Sequence, residues 1–170
     1  MQDVKYLDKE LKARYLLDFQ SLLEGGDLDF GIDKYLIPIN ETEDFQTLFS
    51  KKYQFKDDLF ALEPNSHIYL AYTKRSEREL HTFLCNFANL FNKSKELVFI
   101  STDSVKDNIY TEMGFSKNYG YTKDPRYFDI EYYQVEIVTT NKEEHRAFFD
   151  QLTKGILRLA QILNEKRSHE

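Results

Sequence analysis

His81 and Cys85 are the two residues of this sequence whose types and spacing come nearest to nucleophilic chemistry. They lie one helical turn apart in SERELHTFLCNFANLF, so a helix there would bring an imidazole and a thiol to the same side. An imidazole that takes the thiol proton produces the reactive thiolate, provided that the pair opens on a cleft and a third group orients the imidazole. The alternative is structural, because free cysteine is commonly buried and a surface histidine needs no partner.

The sequence indicates less clearly which residue could accept a proton from an amine substrate. The candidates lie on or beside predicted strands: Glu63, His67, Glu131 and Glu136. No spacing selects one of them as a general base, and a solvated surface group is the ordinary alternative for each.

A tyrosine-rich segment offers a recognition surface instead of a reaction. Its tyrosines alternate with cations, as follows: Tyr119, Tyr121, Tyr127, Tyr132 and Tyr133 with Lys117, Lys123 and Arg126. Tyrosine and arginine are favoured at the centres of protein interfaces, so the segment predicts partner binding, with Tyr119, Tyr121 and Tyr127 as the contact residues. The alternative is a hairpin whose tyrosines cover the core.

Length and charge narrow the classes of protein. A chain of 170 residues with 41% hydrophobic content predicts a single domain, residues 1–170. The net charge of −6 argues against binding of duplex nucleic acid, which depends on Lys and Arg to neutralise phosphates. Cys85 is the only cysteine, so no internal disulfide forms, and the histidines lie too far apart to predict a metal site.

The hydropathy pattern predicts a cytoplasmic protein. The longest apolar runs, such as LVFI at 97–100, fall far short of the roughly 20 residues that span a bilayer. The opening MQDVKYLDKELK contains no apolar signal core, and we therefore expect no membrane association.

Hydrophobic periodicity places these residues on alternating elements. The pattern predicts helices at 4–26, 41–55, 76–96, 104–113 and 141–166, and strands at 33–40, 66–73, 96–102, 118–121 and 130–140. Two helices begin with possible capping boxes, Ser76 with Glu79 and Thr140 with Glu143. This order predicts an α+β fold, in which helices flank a mixed central sheet and extra helices lie at both ends of the chain.

Two of these segments together resemble the central half of the GNAT N-acyltransferases. The match covers SHIYLAYTKRSERELHTFLCNFANLF and KELVFISTDSVKDNIYTEMGF, residues 67–115. That family has a strand, a glycine-containing turn into a long helix, a second strand, and a helix ending in a Tyr-x-x-x-Gly-Phe type signature. Here Tyr110 to Phe115 resembles the signature, and Arg75 falls at the first residue of the turn. The resemblance implies a GNAT-like fold and transfer of an acetyl group from acetyl-CoA to an amine.

The resemblance also implies roles for individual residues. Tyr110 would be the general acid that protonates the leaving thiolate of coenzyme A; packing of a short helix is the alternative. Strand backbone groups of Leu70 and Tyr72 would contact the pantetheine arm and the thioester oxygen, unless the strand is simply buried. The turn formed by Lys74, Arg75 and Ser76 would bind the pyrophosphate at a helix N-terminus.

The same turn departs from the family. Arg78 and Leu80 stand where the family has glycines, which normally let a backbone approach a ligand closely. Either the turn binds phosphate through its side chains or the acyltransferase site is inactive. The second case leaves a rival hypothesis, a non-catalytic inhibitor, immunity or regulatory protein that binds another protein through its acidic, tyrosine-rich surface.

Overall fold

The computed structural model of this chain describes residues 6–28, 31–48, 50, 65–100, 111–119, 130–139 and 141–168. These residues form an α+β arrangement. The helices are α1 Lys9–Gly25, α2 Asp33–Asn40, α3 Glu77–Ile100 and α4 Lys142–Ser168, and the strands are β1 Phe45–Thr47, β2 Asn65–Tyr72, β3 Thr111–Tyr119 and β4 Glu131–Thr139. A short 3₁₀ turn, Lys74–Ser76, leads from β2 into α3.

The four strands form one sheet in the order β1-β2-β4-β3. Each neighbouring pair is antiparallel, so the sheet of the described residues is antiparallel and not mixed as the sequence predicted. Because β2 and β3 both run opposite to β4, they are parallel to each other, with β4 between them and α3 on the path that joins them. This is a β-α-β unit split by an inserted strand.

The two faces of the sheet bury different side chains because strand residues alternate in direction. Leu70 and Val135 point to one face and belong to the main core, which the helices α2, α3 and α4 complete. Ala71 and Tyr132 point to the other face, where Leu11 and Tyr15 of α1 cover them. The chain therefore packs helices on both sides of the sheet.

The first predicted helix is present and ends where the sequence predicts, but it begins at Lys9, so that the described residues 6–8 of the predicted range 4–26 are not helical. The Asp8 carboxylate accepts a hydrogen bond from the backbone N–H of Leu11 and so caps the N-terminus. Gly26, with a φ of 70°, ends the helix in the left-handed conformation that glycine adopts without strain.

Helices α3 and α4 are also confirmed, with two details that the sequence did not supply. Asn141 caps α4 by accepting hydrogen bonds from Glu143 and Glu144, whereas Thr140 of the predicted capping box lies outside the described residues. A Cβ at Gly155 would lie 2.2 Å from Cζ of Phe83. Glycine in the middle of α4 thus lets the Phe83 ring of α3 lie against the helix backbone.

Residues 33–40, predicted as a strand, are the helix α2. The β-branched residues and Pro38 suggested an edge strand, but Tyr35, Leu36 and Ile39 also fit a helical stripe, and all three are buried. Tyr35 stacks on Phe149 of α4 at 5.1 Å between ring centroids. This packing outweighs the backbone hydrogen bond that Pro38 cannot donate.

Residues 45–47, predicted within a helix, are the strand β1. Contacts with other elements stabilise this strand. The Asn40 side chain of α2 accepts a hydrogen bond from the Thr47 N–H at 2.7 Å and donates one to the Thr47 hydroxyl at 2.8 Å. Lys12 of α1 also donates to the carbonyl of Phe45. Such tertiary contacts are invisible to local periodicity. The remainder of that predicted helix includes residue 49 and residues 51–55, which lie outside the described residues.

The acyltransferase-like elements after α3 differ from their prediction. Residues 97–100, predicted as a strand, continue α3, while residues 101–110 lie outside the described residues. Residues 111–113, predicted as a helix end, belong to β3, where Met113 pairs with Ile137. The predicted strand at 118–121 overlaps the end of β3 at residues 118 and 119. Gly114 and Phe115 therefore lie within a strand.

The edge strand β3 is partly covered by a side chain of α3. The Asn92 amide donates to the carbonyl of Met113 and accepts from its N–H, at 3.1 and 3.3 Å. These two hydrogen bonds replace those that a neighbouring strand would make, and they satisfy backbone groups that an edge strand leaves unpaired. As for membranes, the helices in the described part of the chain include none that is both long and apolar enough to cross one.

Candidate binding site

One side of α3 carries a row of polar residues that faces β3 and β4. Glu77, His81 and Cys85 recur every four residues, so they lie along one stripe of the helix. The core stripe, which includes Leu80 and Leu84, lies beside it and is fully buried. Packing of these apolar residues therefore fixes the position of the polar row next to the sheet.

Glu77 takes part in a cluster of charged and aromatic side chains that we call the tyrosine cage. It consists of Tyr6, Tyr72, Glu77, Lys117, Glu131 and Tyr133. These residues come from the segment before α1, from α3 and from the strands β2, β3 and β4. The cage therefore exists only when all these elements are packed together.

The ammonium of Lys117 occupies the centre of the tyrosine cage. Its Nζ lies 2.6 Å from Oε1 of Glu77 and 2.7 Å from Oε1 of Glu131. The same nitrogen lies 6.0 Å from the ring centroid of Tyr72 and 5.7 Å from that of Tyr133, the range of cation–π attraction. Two carboxylates and two aromatic rings thus surround one cation.

Tyrosine hydroxyls donate hydrogen bonds to both carboxylates. Tyr72 donates to Oε1 of Glu131 at 2.5 Å, and Tyr6 donates to Oε2 of Glu77 at 2.6 Å. Glu131 is buried, whereas the side chain of Lys117 is 42% exposed. Solvent therefore reaches the Lys117 side chain although one of the two carboxylate partners of its ammonium lies inside the protein.

The charges of the cage shift the pKa values of its members. Burial alone would lower the pKa of Lys117, but its hydrogen bonds to Glu131 and Glu77 outweigh burial and raise that pKa. The hydrogen bonds from Lys117 and Tyr6 lower the pKa of Glu77. Lys117 and Glu77 accordingly form a charged pair across the neutral pH range.

The three tyrosines of the cage stay protonated. Burial raises the pKa values of Tyr72 and Tyr133, and Glu131 raises that of Tyr72 further by accepting its hydrogen bond. The hydrogen bond to Glu77 is the largest cause of the raised pKa of Tyr6. Each phenol is thus neutral at physiological pH.

A second chain of polar contacts runs from Tyr133 back to α3. Its hydroxyl lies 2.9 Å from Nδ1 of His81, and Nε2 of His81 lies 3.6 Å from Sγ of Cys85. The pair that the sequence singled out is therefore formed, and Tyr133 contacts the imidazole nitrogen that faces away from the thiol.

Two residues of the predicted phosphate-binding turn make hydrogen bonds to other parts of the protein. Arg75 makes two hydrogen bonds to the buried Asp44, at 2.8 and 2.5 Å, and a third to the carbonyl of Leu163. The hydroxyl of the buried Ser76 donates to the carbonyl of Thr73. Lys74 is exposed at the same turn. A phosphate would meet Lys74 directly but would compete with Asp44 for Arg75.

The strand residues proposed to contact a thioester are enclosed. Leu70 lies opposite Thr47 on one side and Tyr133 on the other, and both its side chain and that of Tyr72 are buried. The carbonyl of Tyr72 accepts a hydrogen bond from Leu7 N–H.

The remaining predicted residues divide into three groups. Tyr110, Tyr121, Tyr127 and Glu63 lie outside the described residues. Tyr119 is opposite Glu131 in the ladder between β3 and β4, and its side chain is not described. His67 and Glu136 face each other across β2 and β4 on the sheet face opposite to the cage, so of the three base candidates that the structure describes, Glu131 is the one within it.

The sequence pointed to Tyr72, Lys117, Glu131 and Tyr133 but not to the other two members of the cage, Tyr6 and Glu77. Glu77 shares the spacing of His81 and Cys85, a signal that was present in the sequence. Tyr6 carried no comparable signal, because it approaches Glu77 only through tertiary packing across 71 residues of sequence.

The part of the chain that the structure describes contains no group of three or more His, Cys, Asp and Glu side chains that could hold a metal ion. Among known proteins, no family model, curated protein or solved structure matches this chain.

Proposed function

We propose that this chain is a binding protein that engages a basic partner protein, with a lysine side chain of the partner entering the tyrosine cage. The observation that carries the proposal is the position of the Lys117 ammonium between Glu77 and Glu131. A site that already encloses one lysine head group has the charge and shape for another.

Replacement of the internal lysine is physically reasonable. Lys117 lies on the edge strand β3 and its side chain is 42% exposed, so its flexible stem can turn into solvent without disturbing the core. The two carboxylates would then hold the incoming ammonium, and the rings of Tyr72 and Tyr133 would contact its methylene groups. The net charge of −6 favours the approach of a basic partner.

The direct test uses a fluorescent oligolysine peptide and anisotropy at low salt. We expect wild-type protein to bind, and Glu77→Gln to weaken binding severalfold. The matched control is Glu79→Gln, which removes the same charge from the same helix. The Glu79 side chain pairs with Lys166 and is 32% exposed, close to the 29% of Glu77. Equal losses in the two variants would reduce the binding to general charge attraction, and absence of binding in wild-type protein would refute the proposal.

A second variant separates the cage from the rest of the surface. Lys117→Ala removes the internal competitor, so the peptide should bind more tightly than to wild type, with a control peptide of glutamates remaining unbound. Tyr119, Tyr121 and Tyr127 stay the contact residues that the sequence predicts for a protein partner. Their replacement by alanine should weaken binding of a whole protein partner more than that of the short peptide.

Acylation of an amine by acetyl-CoA is the second candidate, and one observation favours it. An amine in the position of the Lys117 ammonium would lie within hydrogen-bond distance of Glu131, one of the predicted bases. Calorimetric titration with acetyl-CoA and coenzyme A tests this function. Lys74→Ala is the informative variant, because Arg75 also supports the fold through Asp44. No binding at millimolar ligand would eliminate the candidate.

A further inference from the structure

Cys85 differs from an ordinary buried thiol in its exposure and in its histidine neighbour. It is partly exposed, and its sulfur lies 3.6 Å from Nε2 of His81, which is itself exposed one turn earlier on α3. The imidazole is therefore in reach of the thiol proton, and solvent reaches both side chains.

A third group orients this imidazole. The hydroxyl of Tyr133, on a strand residue that is 1% exposed, lies 2.9 Å from Nδ1 of His81. The Phe115 ring meets the imidazole edge-on at 6.0 Å between centroids. In the tautomer that donates from Nδ1 to the Tyr133 oxygen, Nε2 presents its lone pair to Cys85. Nucleophile, base and orienting group thus stand in the order that covalent catalysis requires.

We propose that Cys85 is a nucleophile that accepts an acyl group from a thioester, with His81 as its base and Tyr133 as the positioning residue. A thioester is the electrophile that this chemistry fits, because exchange between a thiol and a thioester conserves the bond types and needs no oxidant. This site goes beyond both functions proposed above, since neither a bound lysine side chain nor direct acylation of an amine uses Cys85.

The step balances within the named groups. The thiol proton passes to Nε2 of His81, and the sulfur attacks the carbonyl carbon of the thioester to form a tetrahedral intermediate. When the intermediate collapses, the bond between the carbonyl carbon and the original sulfur breaks. His81 returns the proton to the leaving thiolate, which departs as a free thiol, and Cys85 carries the acyl group as a new thioester.

Intact-mass spectrometry tests the proposal on the whole chain with two donors, acetyl-CoA and a small acetyl thioester without a nucleotide. Because Cys85 is the only cysteine, an acetyl adduct that hydroxylamine removes at neutral pH reports this residue alone. We expect an adduct on wild-type protein and none on Cys85→Ser. An adduct formed with the small donor only would support Cys85 as the nucleophile and would show that the reaction does not depend on a coenzyme site. Absence of the adduct with both donors would overturn the proposal.

The role of His81 has its own readout. His81→Gln retains a side chain that can reach Tyr133 but lacks a base, so thiol acylation near pH 7 should slow by at least about tenfold. The pH dependence of the acylation rate should change as well, because the variant lacks the base. Since His81 is exposed, this variant is compatible with folding. Equal rates and equal pH profiles in wild type and His81→Gln would refute base catalysis.

The positioning role of Tyr133 is tested by Tyr133→Phe, with Tyr132→Phe as the control on the opposite face of the sheet. Only the first should shift the pH profile of acylation toward that of His81→Gln, because a loss of packing alone would not change it. An unchanged profile in folded Tyr133→Phe would remove Tyr133 from the proposal. If that variant does not fold, the comparison of wild type with His81→Gln decides the matter.

Discussion

Lys12 and Lys117 are both surrounded by oxygen atoms, but their surroundings shift their pKa values in opposite directions. Lys12 donates to the carbonyls of Asn40 and Phe45 and to the side-chain oxygen of Gln46, at 2.9, 2.6 and 2.8 Å. All three acceptors are neutral, and burial lowers the pKa of Lys12 to about 8. Lys117 donates to two carboxylates, and its pKa rises. The depth of burial and the charge of the acceptors together, and not the number of hydrogen bonds, decide whether the ammonium is favoured.

The same contrast separates structural from binding roles. Lys12 links α1 to the last residue of α2 and to β1, and neutral oxygens would hold a mobile cation weakly. The tyrosine cage has an excess of negative charge around a solvent-reached position, which suits exchange with an external amine.

The largest effect should come from removing the ammonium of the cage. Lys117→Met leaves the buried Glu131 without its counter-ion, and we expect a loss of about 2 kcal/mol in the free energy of unfolding, below the range for fully buried pairs because solvent reaches Lys117. Urea unfolding at pH 7 measures the loss. Adding Glu131→Gln to this variant should restore part of the stability, and two additive losses would show that the charges are not coupled.

Removing the other lysine should cost less. Lys12→Met leaves three neutral acceptors without a donor but also removes a charge that burial disfavours, so we expect a loss of about 1 kcal/mol. The measurement is the same urea unfolding at pH 7. A loss greater than that of Lys117→Met would reverse the comparison of the two sites.

Alkaline pH should distinguish the two lysines by the sign of their contributions. The folded-state pKa of Lys12, about 8, lies below the ordinary value of 10.5, so the unfolded chain binds more protons between these values. The contribution of Lys12 to stability therefore rises with pH in this window and should vanish in Lys12→Met. Lys117, whose pKa is raised, should lose its stabilising contribution only above about pH 10.5. Stability curves at pH 7–10 that are parallel for wild type and Lys12→Met would contradict this assignment.

The smallest effect should come from the rim of the cage. Tyr6→Phe removes one hydrogen bond to Glu77 while its ring keeps the edge contact with Tyr72, so the loss should be about 0.5–1 kcal/mol. The pKa of Glu77, measured by NMR titration of its side chain, should rise in this variant, because the Tyr6 hydrogen bond lowers it. An unchanged pKa would place Tyr6 outside the cage.

Elements with a strong local signal were predictable from the sequence. The helices α1 and α4, the start of α3 and the strands β2 and β4 have a periodicity that agrees with their tertiary environment. The prediction failed for 33–40, where β-branched residues mask a helical stripe, and for 97–100, where a short apolar run fits a helix or a strand equally well. It also failed for β1 and for all of β3 except residues 118 and 119, because the pairing of these strands is decided by distant partners.

The candidate site shows the same division. Spacing alone placed His81 and Cys85 on one side of a helix, and composition marked Lys117 and Tyr133 as part of a polar aromatic segment. The acyltransferase resemblance, with Tyr110 as acid and acetyl-CoA as donor, stays a prediction.

The sequence by itself thus determined the α+β class and the helix faces, because both depend on periodicities of a few residues. Only the tertiary structure decided that Lys117 meets Glu77 and Glu131, and that Tyr133 orients His81. These contacts join residues 40, 14 and 52 positions apart in the chain. Their energies depend on the charge and burial of partners that no local pattern specifies, and packing of α3 against the sheet is what brings them together.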